Sequence, residues 1–255
     1  MNTQKLSCPL ELLLCDRVNT GSDVMKSFIT LIIATVFLSS CAIHRNASPS
    51  SGASLQEYRS YDRPASLPSN PSAVRVKVSL SNQMVYVMEG SKPLLVMPVS
   101  VGKPAKPTPK GNFRIFGKNH YRRANSHGYA YHGSRSAPVN AHKVLVKNMP
   151  SGFKFVGTPM PYWCEFKTGY GFHTGWMKPY PCSSGCLRMH ENLAPKFFKL
   201  VRNGTRVNIA NSQPEDATIG RNIPRPPDAS PLPDYAPVLR MSNAIFTHHK
   251  APQWQ

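Results

Sequence analysis

From Val74 onward apolar and polar residues alternate. Val74-Arg75-Val76-Lys77-Val78-Ser79-Leu80 places every second side chain on one face, the mark of a half-buried strand. Ser81-Asn82-Gln83 supplies a turn, Met84 to Met88 predicts a second strand, Glu89-Gly90-Ser91 a second turn, and Leu94 to Val101 a third strand. The stiff loop Lys103-Pro104-Ala105-Lys106-Pro107-Thr108-Pro109-Lys110-Gly111 leads to a strand over Asn112 to Phe116. This is the pattern of a β-meander. Residues 118–143 are polar with weak periodicity and read as a loop or insertion, after which short strands resume at Lys143 to Val146, Lys154 to Phe155 and Gly171 to His173. One helix follows: Asn192 caps it, Pro195 sits in its first turn, Leu193, Phe197, Leu200 and Val201 share a face, and Gly204 ends it. Arg206 to Ile209 closes the unit as a strand. The expected fold class is mainly β, a sandwich or meander with one or two short helices, and the chain shows no internal repeat.

Composition confines that fold to the middle of the chain. A length of 255 residues with 40% hydrophobic content supports a core, but the 25 prolines are unevenly spread, six of them falling within 224–237. Residues 41–73 are rich in Ser, Ala, Pro and Asn and read as a flexible tether; residues 211–255 read as a proline-rich, largely disordered tail in which Ala244-Ile245-Phe246 is able to dock. The folded unit is therefore 74–210.

Ahead of the tether, Met25-Lys26-Ser27 precedes the apolar run Phe28 to Leu38 and then Ser39-Ser40-Cys41. A basic start, a short apolar stretch and small residues before a cut point make a secretory signal over 25–40, since crossing a bilayer takes about 20 apolar residues. Leu38-Ser39-Ser40-Cys41 resembles a bacterial lipobox, in which Cys41 is diacylated and heads the mature chain; an uncleaved anchor helix is the alternative. An export signal starts a chain, so residues 1–24, with Cys8 and Cys15, read as a miscalled extension. Two acyl chains suffice for stable membrane anchoring. Ala42 after the lipidated cysteine favours the outer membrane, which makes the expected location the cell envelope, as a periplasmic lipoprotein.

Export changes the meaning of the charge. The formal net charge is +19, and residues 74–209 carry 21 Lys/Arg against Glu89, Glu165 and Glu191. Such a field attracts polyanions. Nucleic acid is excluded as a partner by compartment, which leaves peptidoglycan peptides with free carboxylates, acidic wall polymers and lipid headgroups.

The candidate chemistry lies in Pro181-Cys182-Ser183-Ser184-Gly185-Cys186-Leu187-Arg188-Met189, with Gly171-Phe172-His173-Thr174-Gly175 upstream. With Cys41 spent on lipid, Cys164, Cys182 and Cys186 remain, an odd set that allows one bridge and one free thiol. Cys186 follows a glycine and two hydroxyls and stands 13 positions after His173. An imidazole takes the thiol's proton and stabilises its anion, and backbone N–H groups of Ser184, Gly185 and Cys186 offer an oxyanion site. The rivals are a zinc site from Cys164, His173, Cys182 and Cys186, whose spacings match no common ligand pattern, and a buried core thiol. No metal and no cofactor are called for.

These residues resemble the L,D-transpeptidase catalytic domain family (YkuD-like). His173 and then Ser183, Gly185, Cys186, Leu187 and Arg188 fall on its histidine and Ser-x-Gly-Cys-hydrophobic-Arg/Asn signature. Leu80 to Val87 is similar to the family's opening hairpin, Pro98 to Lys103 and Thr108 to Phe113 to its central segment, and Met160-Pro161-Tyr162-Trp163 to the stretch before the histidine, so the likeness covers about Val74 to Ile209. It implies that Cys186 attacks a peptidoglycan stem at the bond between a diamino acid and D-Ala, that His173 is the proton donor and acceptor, and that the Thr174 carbonyl orients His173. Ser183 and Arg188 support the motif or the substrate. The thioester then passes to an amine to make a 3→3 cross-link. The same acyl-enzyme also serves carboxypeptidase trimming or protein anchoring, and an inactive wall-binding lipoprotein is the remaining alternative. Where many relatives carry histidine this chain has Ser184. Cys164 and Cys182 replace residues common in relatives, and their joint presence suggests a Cys164–Cys182 disulfide; a Cys182–Cys186 bridge would silence the nucleophile.

Overall fold

The computed structural model describes residues 54–248 and Trp254. The proposed extension, signal peptide and lipidation site Cys41 lie outside the described residues. The chain runs through α1 (Leu55–Ser60), β1 (Val74–Ser79), β2 (Met84–Glu89), β3 (Lys92–Pro98), β4 (Gly111–Arg114), β5 (Gly117–Asn119), β6 (Arg123–Gly133), β7 (Pro138–Leu145), β8 (Lys154–Pro159), β9 (Trp163–Lys167), β10 (Tyr170–Thr174), β11 (Leu187–Met189), α2 (Ala194–Leu200), β12 (Arg206–Ala210) and α3 (Pro237–Met241). The fold is mainly β.

The alternating run of β1 buries Val74, Val76 and Val78. It pairs antiparallel with β2 and parallel with β12, at the centre of a sheet ordered β3-β2-β1-β12-β4. A second sheet, β11-β10-β9-β5, faces it. Val76, Val87, Leu95 and Val207 from the first sheet share one core with Phe166, Phe172 and Leu187 from the second and Phe197 of α2. Burying a side chain of this size stabilises the fold by about 1.5–3 kcal/mol. β2 is apolar on both faces because its outer face is covered too: Met84, Tyr86 and Met88 pack against Ile219 and Ile223, Tyr86 donates to Asp216 at 2.6 Å, and Lys77 pairs with Glu215 at 2.6 Å.

Two expectations for the central unit need correction. Residues 118–143 are not a loop: β6, β7 and β8 form a third sheet, ordered β7-β6-β8. Its pattern was faint because little of it faces a core; β7 has no buried residue, and only Tyr129, Tyr131, Val156 and Met241 form its apolar cluster. Asn192 does not cap α2. Its side chain donates instead to the carbonyls of Arg59 and Tyr61, both at 2.8 Å, and Leu193 stands at the N-cap position, giving no side-chain cap, with proline in the first turn of the helix. At the other end, Lys118 Nζ donates to the Phe198 and Val201 carbonyls at 2.7 and 2.6 Å, placing a cation where the helix dipole favours one.

The flanks are also structured where they are described. Ser54 caps α1 through the Glu57 N–H, Tyr58 is buried, and Asp62 pairs with the buried Lys196 at 2.8 Å. Composition argued for a tether through residue 73, but Tyr58 packs with Met177 and Ala229 and Asp62 holds the segment to α2. After β12 the chain is not a loose tail through residue 248. It makes short helical turns at Pro214–Ala217 and Asn243–Phe246 and the helix α3, burying Met241, Ile245 and Phe246. Among the described residues no helix is long and apolar enough to cross a membrane.

Candidate active site

Register explains why the distant motif residues meet. β10 and β11 run parallel with Phe172 opposite Leu187 and His173 opposite Arg188. Phe172 and Leu187 are fully buried in the core. Because side chains alternate along a strand, His173 and Arg188 project to the other face, and Cys186 enters β11 on that same face. There Cys186, His173, Thr174, Ser183, Ser184 and Arg188 line one cavity of about 330 Å³.

The cysteine loop is stitched to the strand end after β3. The N–H groups of Cys182 and Ser183 both donate to the Val101 carbonyl at 3.0 Å, and Lys103 N–H donates to the Ser183 carbonyl at 3.0 Å. Ser183 Oγ donates to the Cys186 carbonyl at 2.6 Å and accepts the Gly185 N–H at 3.0 Å. Gly185 has φ +110°, and a Cβ there would lie 2.6 Å from Tyr170 Cε1, so both backbone and space demand glycine. Gly171 serves the neighbouring wall: a Cβ would meet the Trp163 ring at 2.8 Å, and that indole lies 6.0 Å from the His173 ring.

His173 Nδ1 lies 2.8 Å from the Thr174 carbonyl. A carbonyl only accepts, so Nδ1 carries the hydrogen and Nε2 keeps its lone pair. Burial pulls the imidazole down to about 4, against the Thr174 carbonyl and helped by Arg188 and His127. Burial also pushes the Cys186 thiol above its ordinary value, opposed by the Gly171 N–H and Arg188. The resting pair is thus neutral thiol and neutral imidazole. Cys186 Sγ is directed at the Gly169 carbonyl, 3.7 Å away, and makes no hydrogen bond with His173. Gly185 N–H is engaged by Ser183, so of the three predicted oxyanion donors the N–H groups of Ser184 and Cys186 stay without a protein acceptor among the described residues. Thr174 lines the cavity, and its buried Oγ1 has no partner among the described residues.

The expected Cys164–Cys182 disulfide is absent: Cys164, Cys182 and Cys186 are all free thiols. Cys164 points into the core between the sheets, fully buried, and burial pushes its thiol up to about 12. Cys182 lies beside Arg188, with Sγ 3.7 Å from Nη1. Among the described residues no three His, Cys, Asp or Glu side chains gather as a metal ion would need.

Sequence reading missed the C-terminal part of the cavity wall. His127, Tyr129 and Lys143 of the third sheet and Asp234, Tyr235 and Arg240 of the C-terminal segment complete the wall. Proline-rich composition concealed the last three; the one available signal was the aromatic pair Trp176 and Tyr235, whose rings stack at 5.0 Å.

A mainly β protein with a thiol, an oriented imidazole and a glycine-shaped loop around one cavity holds the parts that thiol acyl transfer needs. The L,D-transpeptidase catalytic domain model (YkuD) matches residues 73–209, and the chain belongs to that family. No curated protein matches it. Similar solved structures include an L,D-transpeptidase from Stackebrandtia nassauensis, 19% identical with a TM-score of 0.40, covering 59% of this chain and 60% of that one. An L,D-transpeptidase from Mycobacterium smegmatis is 18% identical with a TM-score of 0.40, covering 54% and 58%. L,D-transpeptidase 1 of Mycobacterium tuberculosis is 22% identical with a TM-score of 0.36, covering 54% and 61%. The chain thus spans about six-tenths of the length of these structures.

Proposed function

We propose that this chain is a cysteine-dependent L,D-transpeptidase that forms 3→3 cross-links between peptidoglycan stems through a thioester on Cys186. The observation that carries the reading is the convergence of Cys186 and His173 on adjoining strand ends at one cavity, with His173 held through Nδ1 by the Thr174 carbonyl.

In the proposed cycle the thiol leaves the Gly169 carbonyl and passes its proton to His173 Nε2 as Sγ bonds to the carbonyl carbon of the diamino acid. The oxyanion takes hydrogen bonds from the N–H groups of Ser184 and Cys186, in a loop that Ser183 braces. The tetrahedral adduct collapses, the C–N bond to D-Ala breaks, and the imidazolium protonates the departing amine. An amine of a second stem then attacks the thioester, gives its proton to His173, and expels Cys186, which recovers a proton from the imidazolium. Arg188 braces the motif: its stem lies along Gly175 and its guanidinium reaches Cys182. Neutral resting groups suit this cycle, because an imidazole that is unprotonated at neutral pH is ready to accept.

The basic field of the unit and the export features at 25–41 support a location in the cell envelope, with Cys41 lipidated and outer-membrane anchored, where stems with free carboxylates are the available partners. Muropeptide profiling of cells carrying wild-type or Cys186→Ala protein tests the whole reading: 3→3 dimers should disappear with Cys186→Ala. Shortened stems in place of lost dimers would point to trimming, and an unchanged profile would sink wall chemistry altogether. Intact-mass measurement with a carbapenem, whose strained amide acylates an active thiol, separates an enzyme from an inactive wall binder.

A further inference from the structure

One wall of the cavity lies outside the family-matched residues 73–209. Asp234, Tyr235 and Arg240 share the cavity with Cys186, Arg188 and Lys143. The segment that carries them is tied down on both sides by contacts that leave the Asp234 carboxylate out. Upstream, Ala229 N–H donates to the Met177 carbonyl at 3.0 Å, and Ala229 and Leu232 pack with Tyr58 and Met177. Downstream, Met241 is buried with Tyr129, Tyr131 and Val156, while Arg123 donates to the carbonyls of Arg240, Met241 and Ser242 at 2.9, 3.2 and 2.8 Å. Residues 229–241 are a strap that the Asp234 charge is not needed to hold.

That charge faces the cavity's cations instead. Asp234 Oδ2 lies 2.6 Å from Arg240 Nη1 and 3.1 Å from Lys143 Nζ. Its Oδ1 accepts from the Tyr235 N–H at 3.0 Å and from Trp176 Nε1 at 3.4 Å. Burial pushes the carboxyl up, but Lys143 and Arg240 outweigh it and leave it below the ordinary carboxylate range. Two cations therefore share one carboxylate. The Lys143 side chain is 72% exposed, so its pair is weak and open to exchange with a solute anion. The other carboxylate of the cavity, Glu191, is engaged elsewhere, by Tyr235 at 2.6 Å and Arg59 at 3.4 Å.

We propose that Lys143 and Arg240 form a carboxylate subsite of the cavity, which Asp234 occupies in cis until the carboxylate of an entering peptide displaces it. The inference rests on the cavity being the site of acyl transfer. Only ion pairs exchange, so no bond is made or broken in the step. The strap would then both complete the groove and compete for it, favouring ligands able to supply a carboxylate of their own.

Alkylation of Cys186 by iodoacetate and by iodoacetamide provides the test. The two reagents differ by one carboxylate, and peptide-resolved mass spectrometry of the full chain gives the rate at Cys186 for each. The iodoacetate-to-iodoacetamide ratio is internal to each variant, so a general loosening of the strap moves both rates and cancels. Asp234→Asn, which keeps the Oδ1 contacts, should raise the ratio about three- to tenfold, as one charge removed at cavity distance implies at low salt. Lys143→Gln and Arg240→Gln should each lower it below wild type. An Asp234→Asn ratio equal to or below wild type overturns the proposal. If the ratio rises but muropeptides do not change with Cys186→Ala, the subsite stands and the transpeptidase reading falls; if cross-links depend on Cys186 and the ratio does not move, the subsite alone falls.

Discussion

The floor and the roof of the cavity are both β-sheet, yet they are held in different ways. On the floor, β10 and β11 bury Phe172 and Leu187 completely, and His173 and Cys186 are positioned as the opposite faces of a packed core. On the roof, β7 buries nothing, and β6 is anchored by three aromatic or aliphatic side chains and by Met241 of the strap. The floor is placed by packing and the roof by hydrogen bonds and ion pairs at its edges. The proposed acyl transfer, which needs sub-ångström placement, would use the first, while the groups that would meet a variable ligand sit on the second.

The sharpest way to press this comparison is at the imidazole. His173→Gln keeps a donor for the Thr174 carbonyl but no base, so acylation of Cys186 by a carbapenem should slow by about 10²–10⁴-fold, measured as the rate of adduct formation by mass spectrometry. Loss of less than tenfold would mean that the thiol ionises without His173. In the wild type the acid limb of the same reaction should fall near pH 4, following His173, rather than in the ordinary imidazole range.

The same shift sets a direction for stability. The folded pKa lies below the unfolded one, so between about pH 6.5 and 4 the unfolded chain binds the extra proton. Stability is then intact above pH 6.5 and falls as the pH drops towards 4, by up to about 3 kcal/mol. Urea titrations of wild type and His173→Gln at pH 7 and pH 4.5 read this out: the pH dependence should shrink in the variant, and an equal drop in both would assign it to other groups.

How much of this was legible in the sequence follows the same division. Val74 to Leu80 alternates because one face of β1 meets the core, and the motif around Cys186 is legible because glycine, hydroxyl and thiol have few other reasons to adjoin. Residues 118–143 alternate poorly because their outer face meets water and their inner face meets a cavity, which tolerates Ser, His and Lys. The strap was hidden by its own Pro231, Pro233 and Pro237 and by Pro224, Pro226 and Pro227 just before it: proline removes helix and ladder donors, but it does not prevent an extended segment from docking. Asn192 has the chemistry of a helix cap, and only the arrival of the Arg59 to Tyr61 backbone diverts it. The Cys164–Cys182 bridge was suggested by likeness alone and yields to burial of Cys164 between the sheets.

A paired substitution measures the floor against the roof. Phe172 is fully buried, with its ring centroid 4.5 Å from that of Phe197 in a tilted pair and 5.5 Å from that of Phe166 edge-on. Phe172→Ala should cost about 3–5 kcal/mol, from lost burial and the cavity left behind. Leu145 ends β7 and is 46% exposed. It belongs to none of the apolar clusters, so Leu145→Ser removes little contact and should change stability by less than about 0.5 kcal/mol. Chemical denaturation of the two variants gives the difference directly. A Leu145→Ser cost near that of Phe172→Ala would mean that the outer face of the roof is packed in the native protein. The distinction between a packed floor and an edge-held roof would then fail.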